Sequence, residues 1–467
     1  VLPIIVLAVF SGVGFLIAAY VARRVGRILN VRTLLLANYV LVSLISGIVH
    51  LSKVEGQPRG FFDVTVAGTP AMATAVLGSV LGLIAMSIGC VWRLQRAPVT
   101  NRPRLRRTDK WIIIAVLAVI FPFVMSGLLR MQANAALSST VRILSVEQGD
   151  ARYVFMSHWS VWIISFLALW VLSFRHFDGP TWACIIVLGS VALIAVALEW
   201  TGGRSIIFVM ALPLVLVTAH RLYPARMLVV PSLAIAAAVF VANVTGDRLA
   251  GTRQTSSLAT WADWEWGRFS MLGFADTYTT QGGFLHGETF VQALMNVTLG
   301  VVRLLGLYVP NPPLRSMPEI TGQAILQSDQ THVVAGLNSE LFINFGYAGI
   351  FVGMLLLGLF AGWVDRRFAK AENLIAQLGW AYLGSLVIFR TLAADANALA
   401  SFLIYSGAPV LVMGVLAYLL RDRCTLASEI CETQGMRAVR APAFPSRLAH
   451  LPRTYEDHGV HGDDQRR

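Results

Sequence analysis

The residues in this chain able to do chemistry are arginines and carboxylates set among glycines, prolines and aromatic rings. Arg204 stands in a short turn, TGGRS, where two glycines let the backbone approach another group closely. Its guanidinium offers a planar fork that suits a phosphate or a carboxylate, and pairing with nearby Glu199 is the plainer use. Glu340 heads an apolar run in NSELFINFGYAG. It could act as general base for a hydroxyl, orient a ligand, or stabilise the N-terminus of its own helix. His286 and Glu288, in LHGET, line the start of a helix as ligand-facing groups or as a simple N-terminal cap. The stretch WADWEWGRF places Asp263, Glu265 and Arg268 among tryptophans, which suits a sugar ring or an interfacial aromatic belt. Asp247, Arg248, Arg253, Arg303, Arg315, Arg390 and Asp276 complete the set.

The elements that must position these residues are membrane helices. A composition 56% hydrophobic and 13% charged excludes a soluble multidomain protein. The apolar runs are continuous rather than alternating, which points to helices of about 20 residues. An all-α polytopic protein with about eleven spans follows by that length criterion. The spans fall near 1–20, 33–52, 71–92, 111–130, 156–174, 182–200, 205–219, 227–245, 339–363, 374–393 and 398–420. They divide the chain into a helical bundle over 1–245, an extracytoplasmic loop over 246–338, closing helices over 339–420 and a disordered tail over 421–467.

A net charge of +12 would suggest nucleic acid in a soluble chain, but here the basic residues flank the spans in alternate loops. The loops 21–32, 93–110 and 364–370 and the tail then share the cytoplasmic side, and no nucleic-acid partner is expected. The charged residues named above come to lie at the outer membrane face. Ionised groups there mark a site by default, although arginines at span ends also snorkel to lipid headgroups. Within the loop, 286–308 reads as an amphipathic helix at the bilayer surface, ended by the PNPP run at 310–313. The four cysteines suggest neither a disulfide framework nor a zinc site. No phosphate loop, HExxH or Cys-x-x-Cys is present, so no metal or cofactor is expected.

The run from HGETF, through VVRLLGLYVPNPP, to NSELFINFGYAGIFVGMLLLGLF resembles the O-antigen polymerase family of bacterial envelopes, and GGRS resembles that family's arginine-bearing turn. The turn after Arg303 lacks the family's usual Trp and Lys. The resemblance implies a membrane glycosyltransferase with a GT-C-like fold at the outer face of the cytoplasmic membrane. Its partners would be the bilayer, a polyprenyl-pyrophosphate-linked oligosaccharide and a chain-length regulator. Catalysis would fall to Arg204, Arg303 and Glu340, and substrate binding to Arg248, Arg253, Arg268, His286, Glu288 and Arg315. Arginines would offset the charge of the departing pyrophosphate without a metal. Three alternatives stand beside it, one of them a purely structural partner in an envelope assembly. An O-antigen ligase would carry a His before Asn, Ser or Gln where Ala335 and Gly336 stand here, with His332 out of register. A transporter of lipid-linked or anionic solutes would place charges along several spans and break helices near the midplane.

Overall fold

In a computed structural model, residues 1–53, 62–94, 107–133, 158–172, 174, 180–199, 204–221, 263, 267–304, 314–327, 333–371, 373–390, 392 and 394–416 are described. Within them, only the backbone is described for Arg204, Arg303 and Arg390. The helices in order are α1 Leu2–Val25, α2 Val31–Tyr39, α3 Ser46–Leu51, α4 Thr69–Val91, α5 Arg107–Ala133, α6 Ser160–Leu172, α7 Pro180–Glu199 and α8 Arg204–Arg221. They continue as α9 Arg268–Gly282, α10 Glu288–Leu304, α11 Met317–Thr321, α12 Leu337–Lys370, α13 Leu374–Ser385, α14 Ala396–Ser401 and α15 Ala408–Leu416. A π-helical segment, Val40–Ile45, joins α2 to α3, and others follow α11, α13 and α14.

The chain is a multi-pass helical membrane protein. Among the described residues four stretches are long and apolar enough to cross a bilayer: Leu2–Val25, Val31–Leu51, Thr69–Val91 and Leu337–Lys370. A fifth crossing is made if Ala396–Ser406 and Ala408–Leu416, bent by 51°, count as one. The structure therefore supports four or five spans where about eleven were expected by length. The apolar helices Lys110–Ser126, Ser160–Leu172, Cys184–Ile194, Val209–His220 and Leu374–Phe389 are each shorter than 18 residues. The expected span at 227–245 lies outside the described residues. In α5, α7 and α8 the stretch with described side chains is shorter than the helix itself, which runs 27, 20 and 18 residues.

Two apolar cores organise the helices. The first joins α1 to α4 with α9 and α12, and the second joins α5 to α8 with α13 and α15. In the first, α4 and α12 pass so closely that a Cβ on Gly89 would stand 2.4 Å from the Leu355 carbonyl oxygen, and one on Gly358 as close to that of Met86. Near this crossing, the buried Arg32 side chain donates to the carbonyls of Cys90, at 2.8 Å, and Gly362, at 3.1 Å, and faces Asp365 at 3.6 Å. Asp365 in turn accepts the Val31 and Arg32 backbone N–H groups. A guanidinium expected in a solvated basic loop is thus an internal clamp joining α2, α4 and α12. In the second core, the bend after α14 frees backbone carbonyls. Tyr382, Trp159 and Trp162 donate to Phe402, Tyr405 and Ser406 at 2.6 to 2.9 Å, so the break carries its own hydrogen bonds.

The main departure from a simple bundle is inside α12. Gly346 takes φ 65° and ψ −152°, a conformation L-residues avoid, and the chain reverses there. Leu341, on the arm before Gly346, lies against Gly349 and Gly353 on the arm after it. The short arm therefore folds back along the long one. Its start reaches well into the helix set: the Asn338 amide donates to the Tyr39 hydroxyl, which donates to the Ser79 carbonyl at 2.8 Å, partway along α4. Glu340 was expected at the head of a straight span. It sits instead on this returning arm.

Candidate functional site

The reversal at Gly346 creates the candidate site. A continuous helix would use the carbonyls of Ile343 and Asn344 four residues on, but here they face the segment before α10. Leu285 N–H donates to Ile343 at 3.0 Å and His286 N–H to Asn344 at 3.1 Å. The Asn344 side chain accepts from Gly287 N–H at 2.8 Å and donates to Thr289 Oγ1 at 2.9 Å and to the Glu340 carbonyl at 2.7 Å. The positive φ of Gly287 and His286 gives the segment the sharp path this docking needs.

Glu340 is at the centre and is only 1% exposed. Its Oε1 accepts from the Thr289 hydroxyl at 2.7 Å and its Oε2 from Ala396 N–H at 2.6 Å. Of the three uses the sequence left open, the nearest is the cap, but for a different helix: Glu340 meets the first N–H of α14 and not its own helix. Asp395 caps the same helix by accepting from Ala398 N–H at 2.8 Å. Two carboxylates thus adjoin one helix start, each with hydrogen-bond donors.

Other expected residues gather around this network. Arg268 opens α9, and its Cγ and Cδ lie 3.3 Å from where a Cβ on Gly336 would stand. Gly336 accepts from Glu340 N–H, so Arg268 is one turn from the carboxylate's own backbone. Glu288, in the first turn of α10, accepts from Arg315 N–H at 2.7 Å and has the Arg315 guanidinium 3.8 Å away. That pair is at the surface, and His286 is exposed beside it. Arg204 is the first residue of α8 and Arg303 lies in the last turn of α10, and for both the side chain lies outside the described residues. Arg248 and Arg253 lie wholly outside them.

A second cluster lies on the other side of the start of α9. His50 Nδ1 is 3.0 Å from both Asp263 oxygens, and Lys53 Nζ is 2.8 Å from Asp263 Oδ2. Asp63 stands 3.9 Å from His50 Nε2. All but Asp63 are buried; Lys53 offsets the Asp263 charge, and with the His50 hydrogen bond it ties the end of α3 to Asp263. Sequence reasoning passed over His50, a single histidine in the apolar run SGIVHL, because its partner is 213 residues away. Thr289 and Asn344 were quoted within their runs without a role. The one signal available was their place among polar residues recurring at helical spacing, Thr289 with Gln292 and Asn296, and Asn344 with Glu340.

No family model, no curated protein and no solved structure matches the chain.

Proposed function

We propose that the protein is a polymerase of polyprenyl-pyrophosphate-linked oligosaccharide repeat units, working at the outer face of a bacterial cytoplasmic membrane. The observation that carries this reading is the Thr289, Glu340 and Asn344 network. It unites HGET and NSELFINFG, the two ends of the run that resembles O-antigen polymerases, into one hydrogen-bonded unit. In the reaction, a hydroxyl oxygen of the incoming lipid-linked repeat attacks the anomeric carbon of the growing glycan. The bond from that carbon to the pyrophosphate oxygen breaks, polyprenyl pyrophosphate leaves, and the hydroxyl proton passes to a base. Arg204 and Arg303, with Arg248, Arg253 or Arg268, would offset charge on the departing pyrophosphate.

In this reading Glu340 has a supporting part. Both of its oxygens are occupied by internal donors, so it would be a positioning residue that holds α10, with Glu288 and Arg303, against α12. The test is purified protein given lipid-linked repeat units, with products followed on a gel. A ladder of longer lipid-linked glycans is expected from the natural chain and none from a folded Arg303→Ala variant. Natural chain lengths from that variant would remove Arg303 from the mechanism, and no ladder from the natural chain would remove the polymerase.

One observation favours transport as a second reading. The chain reverses at Gly346 and bends by 51° at Gly407, and discontinuous helices carrying polar groups are how many transporters build a substrate site. Unchanged lipid-linked substrate that crosses the membrane of reconstituted vesicles would select it.

A further inference from the structure

Helix α10 is amphipathic in the opposite sense from a helix of a water-soluble fold. Thr289, Gln292, Ala293, Asn296 and Val297 lie on one face, turned inward. That face is largely polar: Thr289 meets Glu340 and Asn344, and the Gln292 amide donates to Asn296 at 2.9 Å, which donates to Asn397 at 3.2 Å. The opposite face carries Val291, Leu294 and Met295, which are 51%, 67% and 36% exposed, and Thr298, whose hydroxyl donates to the Leu294 carbonyl at 2.9 Å. Between Glu288 and Arg303 the helix has no charged residue.

We infer that α10 is embedded in the bilayer, with its outward face covered by lipid hydrocarbon. An amphipathic helix lying on the membrane surface needs its polar face in water. Here that face is filled by protein, so the surface arrangement expected for 286–308 does not fit, and water on the aliphatic face would be unfavourable. Continuity with a lipid-facing surface argues for hydrocarbon in particular. Phe290 of α10 stacks with Phe345 at a centroid distance of 6.3 Å, Phe345 lies against Gly349 across the reversal, and beyond Gly349 an exposed stripe of Val352, Leu356 and Phe360 runs down the arm of α12 that is long enough to cross. The apolar face of α10 extends that stripe sideways. Its 17 residues rise about 25 Å, with charges only at the two ends.

A consequence is that the polar seam around Glu340 lies behind a lipid-facing helix, so a ligand carried on a lipid could approach it from within the membrane. This holds whichever reaction the protein performs. The test uses a diazirine analogue of leucine at position 294, with the full chain in phosphatidylethanolamine and phosphatidylglycerol vesicles. On irradiation we expect phospholipid adducts in a yield close to that from the same analogue at position 352 on α12. At the buried position 293 we expect adducts within the chain only. Quenching by water at 294, adducts within the chain, or adducts to a second copy would each overturn the inference, while lipid adducts from position 352 verify insertion of the same preparation.

Discussion

At Glu340, two donors converge on one buried carboxylate, and this decides what each substitution removes. Glu340→Ala leaves the buried Thr289 hydroxyl and the half-buried Ala396 N–H without their acceptor, at about 1–3 kcal/mol for the hydroxyl. Glu340→Gln keeps one acceptor but presents an amide NH2 to the other donor. Thr289 has little room to adapt, because its oxygen already accepts from Asn344. We therefore expect Glu340→Gln to lower the midpoint of thermal unfolding in detergent, and Glu340→Ala to lower it further. Product formed per folded molecule should fall less than stability does. An unchanged midpoint with no product from Glu340→Gln would place Glu340 on the reacting atoms instead. Glu340 itself was legible in the sequence as a carboxylate at a helix entry. Thr289 and Ala396 were not, since a partner 51 or 56 residues away leaves no trace in local spacing.

Among the elements, the apolar runs were legible because helix formation in lipid follows from backbone hydrogen bonding alone. The reversal in α12 was not, because FGYAG lies within a continuous apolar run and hydropathy says nothing about φ and ψ. At Gly346 the close neighbour is Phe284, and at Gly349 it is the helix's own returning arm, through Leu341. This gives a test by comparison. Gly346→Ala forces a side chain onto φ 65° with Phe284 3.2 Å away, and should destabilise by about 1–3 kcal/mol. Gly12→Ala, in α1 with nothing within 4 Å of the new methyl, should be neutral or stabilising by up to about 1 kcal/mol. Thermal unfolding of the two variants beside the natural chain checks both signs, and equal effects would mean that the reversal is not needed for the fold.

At the scale of the whole molecule, the basic loops sorted onto one side in the sequence, and the contacts of Arg32 draw the matching helix ends together. Because Arg32 reaches Cys90 in α4 and Gly362 in α12 at once, the start of α2 and the C-terminal ends of α4 and α12 occupy one end of the bundle. Arg93 follows α4 there, and Arg366, Arg367 and Lys370 close α12. The start of α4 and the turn at Gly346 belong to the other end, joined by the hydrogen bond from Tyr347 to Thr74 at 3.0 Å. The part of α12 after Gly346 rises about 36 Å at 1.5 Å per residue, enough to cross hydrocarbon of about 30 Å without the returning arm. Excess Lys and Arg mark the cytoplasmic side, so the two ends should be distinguishable by a thiol reagent that cannot cross membranes. With Cys424 and Cys431 replaced by Ser, Ala67→Cys before α4 should react in intact cells. Lys370→Cys at the end of α12 should react only after the cells are opened. Reaction of both from outside would contradict the crossing of α4 or of α12, and reaction of Lys370→Cys alone from outside would reverse the orientation read from charge. A third label at Arg93→Cys separates the two: shielded, it leaves α4 crossing and faults α12, and reactive, it faults α4.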